Sequence, residues 1–359
     1  MALIFGGLVD NSTALTPTYI KIIKDIVFIL LGLGGFVGIL RRNRVNRYGL
    51  MGLLYFLLVV FTALAYSNNF LIFLAGLRWT FPVLLITFLI PYTTKDFLVK
   101  IANMLFGLFL LHFLFQIIQL FFAQGWFGRN ALGLSLRNPG IFFIPSTAAF
   151  FTICVLFFTM FYQPNRVLRR FIFWLSPLSI FLTASGSGVV VYPVIMTIYL
   201  VSKKFFKLLP IVVVILLFLA GHTVQDITGR DKVLEGSFAT RIEIFVELIK
   251  QASLISQNFG YGTNTGVLLA NQLGLDLGAV ITDSTYASII ANLGLLGLII
   301  TLVIVLIFAT IAWLNKDKEK LVFVAIFGLF SATTNIVEAF PMNLLFSILV
   351  AYYLKNSKS

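Results

Sequence analysis

The chain has 359 residues, 60% of them hydrophobic and only 11% charged, with a mean hydropathy of +1.02. Soluble domains carry about 25% charged residues, so this composition excludes an ordinary water-soluble domain and points to repeated transmembrane helices. The formal net charge is +13; where the basic residues fall makes it a topology signal and not a nucleic-acid footprint.

Residues 1–19 lack a basic stretch and a small-residue cleavage site, so no cleavable signal peptide is expected. Apolar runs then predict spans at roughly 20–40, 49–66, 70–91, 97–124, 141–162, 171–185, 188–202, 206–222, 285–314, 320–336 and 339–354. Backbone facing lipid must satisfy its own hydrogen bonds. The expected fold is therefore all-α, a polytopic transmembrane bundle of about eleven helices. About eight would lie in 1–222 and about three in 285–359, separated by a large extracytoplasmic loop at 223–284. The single cysteine, Cys154, sits in an apolar run and can form no intrachain disulfide.

Most of the 26 basic residues fall in alternate connections: RRNRVNR (41–47), Lys95 and Lys100, Arg166, Arg169 and Arg170, Lys203, Lys204 and Lys207, Lys316, Lys318 and Lys320, then Lys355 and Lys358. The positive-inside rule makes these cytoplasmic. The N-terminus and loop 223–284 are then expected outside, and the C-terminus inside.

The residues that break this pattern carry more information. Arg129 and Arg137 lie in the outer connection 125–140, and Arg230 and Arg241 in the large outer loop. Arg78 lies inside a span, about 12 Å below its outer end. An arginine there costs roughly 2.5–3.5 kcal/mol on insertion scales, so it needs a cavity or a partner. Two readings are open. Arg78 snorkels outward or pairs with Asp25 or Glu338; or the outward arginines converge on an anionic ligand, which guanidinium groups bind bidentately.

In the next span His112, Gln116 and Gln119 recur at spacings of four and three, on one helix face. They line a polar cavity, or they hydrogen-bond neighbouring helices with no ligand at all. Further on, SFATRIEIFVELIKQAS predicts an amphipathic helix in the outer loop, with Phe238, Ile242, Phe245 and Ile249 on one stripe and Arg241, Glu247 and Lys250 elsewhere. Such a helix lies along the membrane surface or roofs a cavity. NFGYGTNTG follows, where Gly260, Gly262 and Gly266 suit a flexible turn or a close backbone approach to a ligand.

Four stretches, in this order and topology, resemble the bacterial O-antigen polymerase and ligase superfamily of membrane glycosyltransferases. They are GLRWTFPVLL (76–85), SLRNPGIFFIPSTAAFF (135–151), LTASGSGVVV (182–191), and the set SFATRIEIFVELIK, NFGYGTNTG and DSTYASIIANLGLLG (283–297). The last piece is similar to the ligase pattern H-(N/S/Q)-x9-G-x-x-(G/T/Y), with Ser284, Gly294 and Gly297 in place and Asp283 where ligases have histidine. PMNLLFSILVAYYL looks like the family's last helix. The likeness covers most of the chain from about residue 18 onward. It also suggests that one or more N-terminal helices common in relatives are missing.

The resemblance implies an inverting glycosyl transfer at the extracytoplasmic face of a bacterial cytoplasmic (inner) membrane. Donor and acceptor would be polyprenyl-diphosphate-linked oligosaccharides, with a chain-length regulator protein as a further partner. Diphosphate is a stable leaving anion, so arginines suffice to stabilise it. No metal-ligand spacing is present and no cofactor is expected. Charge stabilisation falls to Arg78, Arg137 and Arg241, and substrate contact to Arg78, Arg137, Gln116 and Tyr286. Asp283 is the expected base; its alternative role is an N-cap, worth about 1 kcal/mol. His222 and Glu338 are further candidates for the base. The missing histidine favours a polymerase over a ligase. A transporter or lipid-carrier flippase is the reading from another class, disfavoured because the spans hold no central carboxylate.

Overall fold

A computed structural model describes residues 57, 72, 76, 79, 81–121, 138–142, 144–201, 208–209, 212–213, 245–256, 259–260, 262, 274, 284–338 and 342–356. The expected spans 20–40, 49–66 and 206–222 fall wholly or largely outside these residues. The described chain is helical, without strands. Its helices are α1 (Phe81–Leu89), α2 (Lys95–Phe121), α3 (Pro145–Tyr162), α4 (Arg166–Thr183), α5 (Gly186–Leu200), α6 (Thr285–Leu314), α7 (Lys318–Thr333) and α8 (Met342–Asn356). A 3-10 turn, Gly140–Phe142, precedes α3. Among them α2, α3 and α6 are each long and apolar enough to cross a membrane.

Local chemistry explains where the helices begin. Residue 141 was the expected start of the α3 span, but Gly140 is at φ 58° and Pro145 occupies the first turn, where its missing N–H costs nothing. Helix α4 starts at Arg166, five residues before the expected span, because Asn165 Oδ1 accepts from Val167 N at 2.9 Å and Leu168 N at 3.4 Å. Hydropathy cannot see a start set by a polar cap on a basic turn. Between α4 and α5 the LTASGSG stretch makes the expected turn: Ala184 takes a left-handed conformation and Ser185 caps α5.

The chain divides into two compact units. In the first, α3 is buried on nearly every side and packs on α4, α5 and α7. Phe150 stacks edge-on against Phe327 and Phe330 at 5.4 and 5.0 Å. A β-carbon on Gly188 would lie 2.6 Å from that of Ala149, so small residues set the α3–α5 approach. At one end of this unit the Tyr162 hydroxyl donates to Glu319, Lys318 Nζ to the Tyr199 carbonyl at 2.7 Å, and Gln163 Nε2 to Asn103 Oδ1 at 2.7 Å. The ends of α3 and α5 and the start of α7 therefore meet where the basic connections 166–170 and 316–320 lie.

In the second unit α1 and α8 run side by side in the same direction. Ser347 Oγ donates to Pro82 O at 3.3 Å, and Lys355 Nζ to Pro91 O at 3.0 Å. Trp79, Phe259, Ile289, Ile290 and Leu298 form a buried cluster there, against which Phe245, Leu248 and Ala252 pack. The packed face of the helical stretch 245–251 is thus Phe245–Leu248. Ile249, expected on the same stripe as Phe245, is exposed together with Val246.

Candidate functional site

The stretch DSTYASIIANLGLLG builds the first half of α6. Ser284 occupies the N-cap: its carbonyl accepts from Ser288 N at 2.9 Å, and its hydroxyl accepts from Ala287 N at 3.4 Å. The capping role weighed for Asp283 is therefore filled by its neighbour. Thr285, Ser288 and Asn292 follow on one face, at spacings of three and four, and each binds chain from elsewhere in the second unit.

Asn292 Oδ1 accepts from Gly260 N at 2.9 Å and Gly262 N at 3.2 Å, and its Nδ2 donates to Ser288 Oγ at 3.3 Å. Ser288 Oγ in turn donates to Gly262 O at 2.6 Å. The NFGYG turn is thereby clamped to α6. Gly260 is at φ +99°, and a β-carbon there would lie 2.6 Å from Ile72 O. One on Gly76 would lie 2.3 Å from Gly260 Cα. The close backbone approach expected of these glycines is real, and the described contacts are to the protein itself. Thr285 Oγ1 donates to Thr334 O and accepts from Ile336 N, both at 2.9 Å.

Gly294 breaks α6, with φ 78° and ψ −172°. Such a break frees backbone donors. Here Leu295 N donates to Ser253 O at 3.2 Å and Leu296 N to Leu254 O at 3.0 Å, while Ser256 Oγ donates to Ala291 O at 2.6 Å. Residues 253–256 lie in the gap.

In the first unit the His112–Gln116–Gln119 face is wholly buried, and its bonds are to neighbouring chain. Gln116 Nε2 donates to Asn138 O and Ser179 O, both at 3.1 Å, and its Oε1 accepts from Ser179 Oγ at 2.7 Å. Gln119 holds Gly140 by two bonds, Nε2 to O at 3.0 Å and Oε1 from N at 2.8 Å. Asn138 N donates to Leu182 O at 2.9 Å. With both amide hydrogens taken, Gln116 fits the interhelical alternative and not the substrate contact expected of it. His112 packs between Phe142 and Phe151, and neither ring nitrogen has a partner among the described residues.

Tyr286 is half-buried against the Trp79 cluster. Asp283, Arg78, Arg137 and Arg241, with Asp25, Arg129, His222 and Arg230, lie outside the described residues. The polar stretch between α7 and α8, which hydrogen-bonds Thr285, is the part of the site that hydropathy reading passed over. Thr334 Oγ1 and Asn335 Oδ1 there, and Asn343 Oδ1 in the first turn of α8, are buried without partners among the described residues, and Asn335 Nδ2 donates to Glu338 Oε2 at 3.2 Å. Buried polar atoms left unfilled mark places where a ligand's polar groups can bind. TTNIVEAFPMN, a polar run between two apolar ones, was the available signal. Among the described residues no three His, Cys, Asp or Glu side chains gather as metal ligands would.

Of the four family-like stretches, the second and third meet in the first unit through Asn138 and Leu182. The first meets the NFGYG and DSTYASIIANLGLLG pieces of the fourth in the other unit, through Gly76, Gly260 and Asn292. The class these features define is an all-helical protein with helices long and apolar enough to cross a membrane. No protein-family model matches the chain, and the comparison with curated proteins gives no match either.

Proposed function

We propose that the protein is a membrane glycosyltransferase that polymerises polyprenyl-diphosphate-linked oligosaccharide repeat units of a surface polysaccharide at the extracytoplasmic face. The observation that carries this reading is the pairing just described: stretches far apart in sequence, singled out by their resemblance to the O-antigen polymerase and ligase superfamily, pack against one another.

In this reading a hydroxyl of the acceptor glycan attacks the anomeric carbon of the donor in one displacement with inversion. A new carbon–oxygen bond forms, the bond from the anomeric carbon to the diphosphate oxygen breaks, and Asp283 takes the hydroxyl proton. Polyprenyl diphosphate leaves as an anion held by Arg78, Arg137 and Arg241. Thr334 and Asn335, in the stretch that hydrogen-bonds Thr285 next to Tyr286 in the chain, offer polar groups for sugar hydroxyls.

One observation favours a transporter, since broken helices line transporter sites. The break at Gly294 is occupied, however: Ser253 O and Leu254 O take the donors it exposes. The test is glycan gel analysis of a deletion strain complemented with Arg78→Ala, Arg241→Ala and Asp283→Asn. Loss of the ladder with single repeats still attached supports a polymerase. Loss of all surface attachment favours a ligase, and a normal ladder from all three variants refutes the site. Substrate movement across liposomes without glycan lengthening supports the transporter.

A further inference from the structure

We infer that residues 252–256 are a membrane-inserted strap: they fill the break in α6, and Leu254 and Ile255 at the strap's tip pack against lipid acyl chains. This goes beyond the proposed enzyme and does not depend on it.

Depth comes first. From Leu295 to Leu314, α6 runs about twenty residues, or about 30 Å, the thickness of a hydrocarbon layer. Polar Asn315 and Lys316 follow at one end. Gly294 therefore lies at the opposite edge of that layer. The carbonyls of Ser253 and Leu254 reach the N–H groups of Leu295 and Leu296, so the strap sits at the same depth. The bonds also explain why the break is tolerated, because a donor freed beside lipid has no water to turn to.

The side chains then identify what lies outside. Leu254 is 63% exposed and Ile255 55% exposed. Leu254 adjoins Leu296 through the backbone bond, and the apolar surface continues along α6 through Ile299 and Ile300, which are also exposed. Val246 and Ile249 extend it on the helical stretch 245–251, whose other apolar face, Phe245 and Leu248, is already packed on the Trp79 cluster. In water this surface would be an apolar patch of the kind that marks a contact site. Its continuity with the exposed side of a membrane-spanning helix assigns the contact to acyl chains. The amphipathic segment expected to lie along the membrane surface or to roof a cavity thus ends in a strap hooked into the membrane's edge.

The test uses the full chain in lipid vesicles. Cys154, the sole cysteine, is buried, and Cys154→Ala gives a cysteine-free background. Single cysteines replace Leu254, Ile255 and, as the aqueous reference, Lys250, which is well exposed. Val246→Cys and Ile249→Cys serve if a strap variant misfolds. The expected result is that fluorophores at 254 and 255 are quenched several-fold more by lipid carrying a nitroxide high on its acyl chain than one at 250. The same positions react several-fold more slowly with a membrane-impermeant thiol reagent. Reaction as fast as at 250 without lipid quenching overturns the inference in favour of water. Protection from both reagents overturns it in favour of a protein cover.

Discussion

Replacing Gly294 by alanine probes the break most directly. At φ 78° and ψ −172° a residue with a β-carbon is strained by about 1–3 kcal/mol. The added carbon would also sit 2.6 Å from Leu254 O, 2.8 Å from Ser253 O and 2.8 Å from Ser256 N. These are backbone atoms that cannot swing aside, so relief requires the strap to leave. Three hydrogen bonds go with it, each worth about 0.5–1.5 kcal/mol net. Straightening α6 returns only about 1 kcal/mol of helix propensity. A net loss of a few kcal/mol is expected, together with exposure of residues 252–262 to protease. The assay is thermal denaturation in detergent at one scan rate, since membrane proteins commonly unfold irreversibly, paired with limited proteolysis. Gly107→Ala is the control: nothing lies within 4 Å of its would-be β-carbon, so it should be neutral or slightly stabilising. A Gly294→Ala protein with the parent's midpoint and cleavage pattern would refute the reasoning.

Asn292→Ala removes the acceptor shared by the Gly260 and Gly262 amides and should cost about 2–4 kcal/mol; the midpoint in detergent and cleavage at the glycine turn report it. Gln119→Leu opens the two-bond clasp on Gly140. It should lower the midpoint and make the segment around 138–142 protease-sensitive, and an unchanged digest would show that the clasp is dispensable. His112→Leu should do the opposite, raising the midpoint by the equivalent of about 1–2 kcal/mol, because it removes a buried ring with no partner for either nitrogen among the described residues. A fall would mean that the imidazole serves something other than packing.

Helix type and approximate extent were legible because apolar runs and basic connections are strong signals in a lipid solvent. Helix α6 came out with the expected bounds. Caps were not legible: Ser185 is one of several polar residues in LTASGSG, and at Asn165 basic residues hid the start of α4. The polar face of α2 could be read from spacing, but its partners could not, since Asn138 and Ser179 lie 22 and 63 residues from Gln116. The break at Gly294 was hidden inside LGLLG, because a glycine in an apolar run usually continues a helix. Ser288 and Asn292 were passed over for a related reason: one serine and one asparagine barely lower the hydropathy of a span. Only the common face they share with Thr285 gives them away. Of the expected site residues the structure describes Tyr286, Gln116 and the further base candidate Glu338; the arginines rest on their place against the basic-residue pattern and, with Asp283, on the resemblance.

The near-complete burial of α3 has a consequence for how the chain is made. Of the three long apolar helices among the described residues, α6 is the most apolar, with 11% of its most apolar stretch buried, and α3 the least apolar, with 83% buried. Surface that meets lipid must be greasy, whereas surface that meets other helices need not be. During synthesis α3 leaves the ribosome before α4, α5 and α7 exist to cover it, and it carries Thr147, Thr152 and Thr159. Its entry into the bilayer should therefore wait on later helices. A nascent chain truncated after Tyr162 should integrate α3 less completely than one extended through Leu200.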